Sequence, residues 1–186
     1  MLADRSALLP DREPMRATGV AVTDRDGTPH ILVAGYGEAN RLFRGVGAGD
    51  ETDADGERDG LVDAVAALRR ATARGTDTYG EAAPVADPDA HAVGVAAADA
   101  DGDGVEEGYV HNAGSFAREV VRPAAGGGPG APEPDRLLDP HGPDGSAVAE
   151  GWLDLLDDGR NRGGRNLRTG RSVAALDRTG DGTYAF

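Results

Sequence analysis

Cysteine is absent from the 186-residue sequence, so no disulfide, zinc–thiolate centre or thiol nucleophile can be built from it. No apolar run approaches the roughly 18 residues that a bilayer-crossing helix needs, so the expectation is a chain without a membrane span. Residues 1–16 lack a basic start followed by an apolar stretch, so no secretory signal is legible; a complete chain of this kind would be cytoplasmic. Positive charge is in short supply: 19 basic residues face 33 acidic ones, for a formal charge of -14. Such a balance repels phosphate backbones and argues against a nucleic-acid partner.

Lysine is missing too, since all 19 basic residues are arginine, and Asp outnumbers Glu 23 to 10. A surface crowded with short carboxylates suits high ionic strength, where screening shortens to about 3 Å at 1 M and mutes their repulsion. A halophilic source explains the bias; so does a GC-rich genome that favours Arg, Ala, Gly and Asp codons. On either account most of the acids form a solvated face.

Three segments align. They are Val20-Ala-Val-Thr-Asp24-Arg-Asp26-Gly27, Val95-Ala-Ala-Ala-Asp99-Ala-Asp101-Gly102, and Val173-Ala-Ala-Leu-Asp177-Arg-Thr179-Gly180, with starts 75 and 78 residues apart. The near-constant period points to duplication. Each copy reads as a strand, a tight acidic loop and a second strand, because short apolar runs bounded by Gly and Asp are strand and hairpin signals. The second strands are Ile31 to Ala34, Tyr109 to His111 and, at the end of the chain, Tyr184 to Phe186. Between copies, Leu61, Val65 and Leu68 share a helical face and predict a short amphipathic helix over 61–70. Ala147 to Asp157, with Trp152, Leu153, Leu155 and Leu156, is a second helix candidate. Residues 45–60 and 123–145 are rich in Gly, Pro and charge and read as long loops. The domain division is an N-terminal extension, 1–17, and a repeat region, 18–186.

The loop from Asp99 to Glu107 concentrates the chemistry. It places carboxylates at its positions 1, 3, 5 and 9 (Asp99, Asp101, Asp103, Glu107), with the Val105 carbonyl at position 7 able to complete a ring. Two like charges about 4 Å apart repel by roughly 1 kcal/mol in water and about 4 kcal/mol at an effective dielectric of 20. A hard cation with six to eight oxygen ligands removes that cost, and calcium tolerates irregular oxygen geometry better than magnesium. The loop is not an EF-hand, which needs a bidentate acid at position 12; Val110 stands there, inside an apolar strand, and Glu106 stands at the usually apolar position 8. The other copies are poorer. Asp24 and Asp26 hold positions 1 and 3 of the first, and Asp177 and Asp181 hold positions 1 and 5 of the third, so each is either a degenerate metal site or a turn held by Asp side chains. Asp53, Asp55 and Glu57 have similar spacing but no flanking strands.

With its Asp-x-Asp-x-Asp-Gly-x-x-Glu loop between apolar strands, Val95 to Asn112 resembles an FG-GAP/VCBS repeat, the calcium-loop unit of integrin-α-type β-propellers. Asn40-Arg41-Leu42-Phe43-Arg44 is similar to the Asn-Arg-Leu-Tyr/Phe-Arg-Asn segment of the branch related to cartilage acidic protein and its haloarchaeal homologues. Gly170 to Ala174 and Gly180 to Tyr184 fit the same branch. The resemblance covers about residues 18 to 44, 91 to 112 and 166 to 186. It implies a mainly β fold with short helices, each repeat a four-stranded propeller blade, and a protein of the kind often secreted or displayed at the cell surface. A propeller closes with roughly four to eight blades, whereas a period near 75 supplies two and the start of a third. The expectation is an incomplete propeller: a fragment, a split chain that pairs with the missing blades, or an open structure with sticky edges.

Enzyme signatures are sparse. His30, His91, His111 and His141 show no ligand spacing, and no Gly-x-Ser-x-Gly elbow occurs. Gly45-Val-Gly47-Ala-Gly49 lacks a phosphate-binding lysine. The Arg160 to Arg168 tract resembles RNA-binding Arg/Gly segments but reads better as a basic loop offsetting Asp154, Asp157 and Asp158. The sequence therefore predicts a non-enzymatic calcium-binding scaffold for a protein or carbohydrate ligand. The alternative is a metal-dependent hydrolase that uses the same loop, with His111 beside Glu107.

Overall fold

Alternating apolar residues on either side of Asp/Gly turns build two antiparallel meanders. The computed structural model describes residues 14–25, 27–45, 61–65, 83–88, 90–113, 134–141, 152–156, 170 and 172–186. The first sheet runs β1 (Ala17–Arg25), β2 (Thr28–Gly35), β3 (Arg41–Gly45) and a short β4 (Leu61–Asp63), in spatial order β1-β2-β3-β4. The second repeats the plan with β5 (Ala92–Ala98), β6 (Glu107–Asn112), β7 (Arg136–Asp139) and a two-residue β8 (Leu153–Asp154). The third copy is a hairpin closed by the Leu176–Ala185 bridge, with backbone hydrogen bonds of 2.9 and 3.1 Å. The fold is mainly β. Helix among the described residues is limited to the single turn Ala83–Ala86 and residues 64–65 beside β4.

Register shows that the duplication extends beyond the hairpins. Val33 pairs with Val20 on one side and Arg41 on the other; Val110 pairs with Val95 and Arg136 in the same way. Asn40-Arg41-Leu42-Phe43 and Asp135-Arg136-Leu137-Leu138 are therefore equivalent third strands. The residue before each arginine does the same work in both sheets. The Gly35 N–H donates to Asn40 Oδ1 at 2.8 Å, and the Asn112 N–H donates to Asp135 Oδ1 at 2.8 Å, so each side chain closes the end of the preceding strand.

The core lies where the sheets face each other. Leu32, Leu42, Val85, Val110, Leu138 and Trp152 are buried together with several alanines. A methyl group at Gly108 would stand 2.9 Å from Leu32 Cδ2, so a side chain there would have to displace the Leu32 side chain in the core. Arg136 ties the second sheet to the segment before it, donating to Asp87 at 2.8 Å and to Asp154 at 2.9 Å.

Three sequence expectations change. The segment read as the start of a helix at Leu61 is strand β4, because pairing of Leu61 with Gly45 and Asp63 with Phe43 offers backbone partners that a lone helical turn would lack. Leu153 and Asp154, read as helical, pair with Asp139 and Leu138 instead. Within the expected loop 123–145, Arg136–Asp139 is a strand inserted beside β6. Residues 64–65 of the first helix candidate are helical and 155–156 of the second form a turn; residues 66–70, 147–151 and 157 of those candidates, the loop 46–60 with Asp53, Asp55 and Glu57, and the 160–168 arginine tract lie outside the described residues, as does Asp26.

Candidate metal centre

Asp99 organises its loop before any ion is considered. Its Oδ1 accepts from the Gly102 N–H at 2.6 Å and its Oδ2 from the Gly104 N–H at 2.9 Å. Both glycines have φ near +85 to +89°, the left-handed region that a side chain would strain. Asp101 caps the Asp103 N–H at 3.1 Å, and Asp103 caps the Val105 N–H at 2.8 Å. The amides pull the chain into a coil with the carboxylates gathered inside it.

Asp99, Asp101 and Glu107 each bring one carboxylate oxygen to within 4.8 Å of the others. They form a graded site: Asp101 is exposed, Asp99 half-buried and Glu107 fully buried at the first position of β6. One Glu107 oxygen accepts from the Ala100 N–H; the other, Oε1, is buried with no hydrogen-bond partner among the described residues. Burial pushes the Glu107 carboxyl up to about 7, and the neighbouring charges of Asp101, Asp139 and Asp103 add to the rise. A buried acid held near neutrality by other acids is poised to exchange its proton for a cation.

The donor set fits a hard cation. A carboxylate oxygen that accepts one N–H keeps a second lone pair, so the capping bonds do not exhaust Asp99 or Asp101. Asp103 lies outside the close triad; its Oδ2 sits 3.9 Å from His141 Nδ1. Val105 contributes its N–H to Asp103. One residue that the sequence did not single out belongs to this corner. Asp139, at the end of β7, is buried, caps the His141 N–H at 2.7 Å, and has its carboxyl raised by burial and then by Asp101 and Asp103. Its only sequence signal is its place in the Asp-Arg-Leu-Leu-Asp strand.

The first and third copies gather fewer acids. In the first copy Arg25 pairs with Thr28, and Gly27, at φ 78°, places its N–H on Asp24 Oδ1 at 2.7 Å. In the third, Asp177 caps Gly180 at 2.6 Å and Gly182 at 3.0 Å, and Asp181 caps Thr183 at 3.0 Å. These amides hold both carboxyls below the usual range, Asp177 through Gly182 and Gly180 and Asp181 through Thr183. The central loop touches both neighbours. The Thr23 hydroxyl donates to the Glu106 carbonyl at 2.9 Å, the Asp24 N–H donates to Glu106 Oε2 at 3.2 Å, and the Tyr184 N–H donates to the Asp99 carbonyl at 2.8 Å.

His111 is engaged elsewhere. It lies four residues along β6 from Glu107, about 13 Å for an extended strand. Its Nδ1 is 2.9 Å from the buried Asp135, which also accepts from the Tyr109 hydroxyl at 2.6 Å. A methyl group at Gly170 would collide with the far side of the His111 ring. The pairing with Glu107 on which the hydrolase alternative drew is not formed.

No helix among the described residues is long and apolar enough to cross a membrane. No protein-family profile matches the chain. It is 32% identical over 173 residues to cartilage acidic protein 1 of Xenopus tropicalis, 33% over 172 residues to that of Mus musculus, and 32% over 172 residues to that of Homo sapiens. Each match takes in 90% of this chain but 21% of the relative, so the chain spans about a fifth of the length of the curated relatives it resembles.

Proposed function

We propose that the chain is a calcium-binding repeat module of the FG-GAP/VCBS kind, a section of a β-propeller that serves as a non-enzymatic scaffold for protein or carbohydrate ligands. The observation that carries the calcium reading is the buried Oε1 of Glu107, which has no hydrogen-bond partner among the described residues and lies beside Asp99 and Asp101. A buried carboxylate oxygen without a donor costs free energy that a divalent ion at the triad removes. Asp99, Asp101 and Glu107 would hold the ion, with Asp103 and the Val105 carbonyl as the further ligands that the loop spacing suggests; the ion supplies charge neutralisation and a cross-link. The blade reading draws support from two four-stranded meanders with matching register and equivalent strand-end caps. The acidic, lysine-free composition supports a protein that works in concentrated salt.

Titration of the full chain with calcium chloride by isothermal calorimetry tests this, together with melts in calcium and in chelator. One site per chain and a higher Tm with calcium are expected, with both lost in Asp101→Asn. Absence of binding by the native chain overturns the calcium reading. Calcium-dependent turnover in phosphoesterase or glycosidase assays would return the hydrolase.

A further inference from the structure

The two sheets carry opposite chemistry at one equivalent pair of positions. In the first, His30 of β2 pairs with Arg44 of β3. The matched register, Val33 with Val110 and Arg41 with Arg136, puts Glu107 of β6 and Asp139 of β7 at the same two places, one step beyond the Gly108–Leu138 pair. Residues directly opposed on antiparallel strands project from one face, with Cβ atoms about 5 Å apart. An imidazole and a guanidinium in one sheet thus become two carboxyls in the other.

The exchange follows the loop that leads into each sheet's second strand. Ahead of β2 the loop gathers few acids, and the pair avoids two like charges: burial lowers the pKa of the His30 ring, and the charges of Arg25 and Arg44 lower it further. Ahead of β6 the loop brings Asp99 and Asp101 to Glu107. Both members of that pair are buried, Glu107 completely and Asp139 to 7% exposure, and like charges so placed destabilise a sheet. Arg136 of the same strand as Asp139 donates to Asp87 and Asp154 instead. His141 gives its N–H to Asp139 Oδ1 at 2.7 Å, while its Nδ1 stands 3.9 Å from Asp103 Oδ2. Glu107 Oε1, on the other side of the pair, is buried with no partner among the described residues.

We infer that Asp139 is a further acid of the calcium site, supplied across the sheet by β7, and that its charge helps set how tightly Asp99, Asp101 and Glu107 hold the ion. Asp139 lies outside the close triad, so it acts as a positioning residue that adds negative charge behind Glu107. A divalent ion at the triad turns the Glu107–Asp139 opposition into a shared attraction, because both carboxylates then face one cation. It also couples the loop to the third strand, a link that the loop's own spacing does not contain. The role of Asp139 rests on the calcium reading proposed above.

The test compares the native full chain with Asp139→Asn at pH 8, by calorimetric titration with calcium chloride and by melts in chelator. The asparagine carbonyl still accepts from the His141 N–H, so the cap is kept. The variant should bind calcium at least about tenfold more weakly. Its Tm in chelator should equal or exceed the native value, because two opposed charges have become one. A residue with a purely structural role would lower the affinity and the chelator Tm together. A variant whose chelator Tm falls below the native value therefore overturns the inference. A native chain that binds calcium and a variant that binds it equally well also overturn it, and leave the calcium reading standing. A native chain that binds no calcium overturns both. Asp139→Ser, which likewise leaves an oxygen for the His141 N–H, repeats the comparison with a smaller side chain and the same expected signs.

Discussion

The second-copy loop, 99–107, and the third-copy loop, 177–185, close with the same bonds and end on different floors. In both, the first aspartate clasps the amides three and five residues on, and both pairs of glycines sit at positive φ. In both, the fifth-position aspartate caps the amide two residues later. Position 9 separates them: Glu107 is fully buried, its carboxyl raised by burial and by the charges of Asp101, Asp139 and Asp103, while Ala185 is exposed. On the calcium reading proposed above, turn formation and ion binding separate: aspartate 1 and the two glycines make the turn in both loops, and only the central loop adds acids at positions 3 and 9 to aspartate 1.

The sharpest way to break this comparison is to remove the acids that differ. Glu107→Gln or Asp101→Asn should lower calcium affinity at least about 100-fold. At calcium 100 times the native Kd, ion binding adds about 2.7 kcal/mol of stability, and either variant should forfeit most of the corresponding rise in Tm. Asp177→Ala should leave the calorimetric isotherm unchanged. Equal losses from Asp177→Ala and Asp101→Asn would erase the distinction between the loops.

Acid should act on one loop and spare the other. The Glu107 carboxyl is raised to about 7, so the ion-free fold holds that proton more tightly than the unfolded chain does. The stabilisation this gives is present at low pH and fades as pH rises from about 4.5 toward 7. Calcium must displace the same proton, so its apparent affinity should fall about tenfold from pH 8 to pH 6. Asp177 and Asp181 are shifted the other way, and their caps should persist across that range. Calorimetry at the two pH values checks the first statement, and amide exchange at Gly180 and Gly182 checks the second. A smaller effect is confined to the third loop: Asp177→Ala should speed exchange at those two amides by on the order of tenfold without moving the calcium isotherm.

What was legible in the sequence follows from the range of the forces involved. Asp–amide caps and positive-φ glycines act within five residues, so the loop spacing alone located the turns and the triad residues Asp99, Asp101 and Glu107. Long-range pairing was harder. The helical reading of Leu61 and of Leu153 rested on short apolar runs, where period 3.6 and a buried strand cannot be told apart; pairing with β3 and β7 decided both. Asp135-Arg136-Leu137-Leu138 was hidden by Pro- and Gly-rich flanks, although it repeats Asn40-Arg41-Leu42-Phe43 with Asp for Asn and Leu for Phe. Comparing the segment after each hairpin would have exposed it, and with it Asp139. The depth of Glu107 depends on sheets packed across the duplication and has no local signature.

The comparison can also be sharpened by construction. Thr179 and Ala185 occupy the loop positions held by Asp101 and Glu107, so Thr179→Asp with Ala185→Glu gives the third loop the central one's acid spacing. Its backbone already matches, which means the change tests side chains alone. If spacing were sufficient, the doubled chain would bind two ions of similar affinity. Ala185 is exposed, however, and a glutamate there keeps its water, so an ion gains little by neutralising it. Calorimetry of the doubly substituted chain should therefore resolve a second event at least about tenfold weaker than the first, and placing Asp101→Asn in the same chain should leave that weak event alone. A second site as tight as the first would mean that burial of the ninth-position acid contributes nothing, and the graded Asp101–Asp99–Glu107 site would lose its physical rationale.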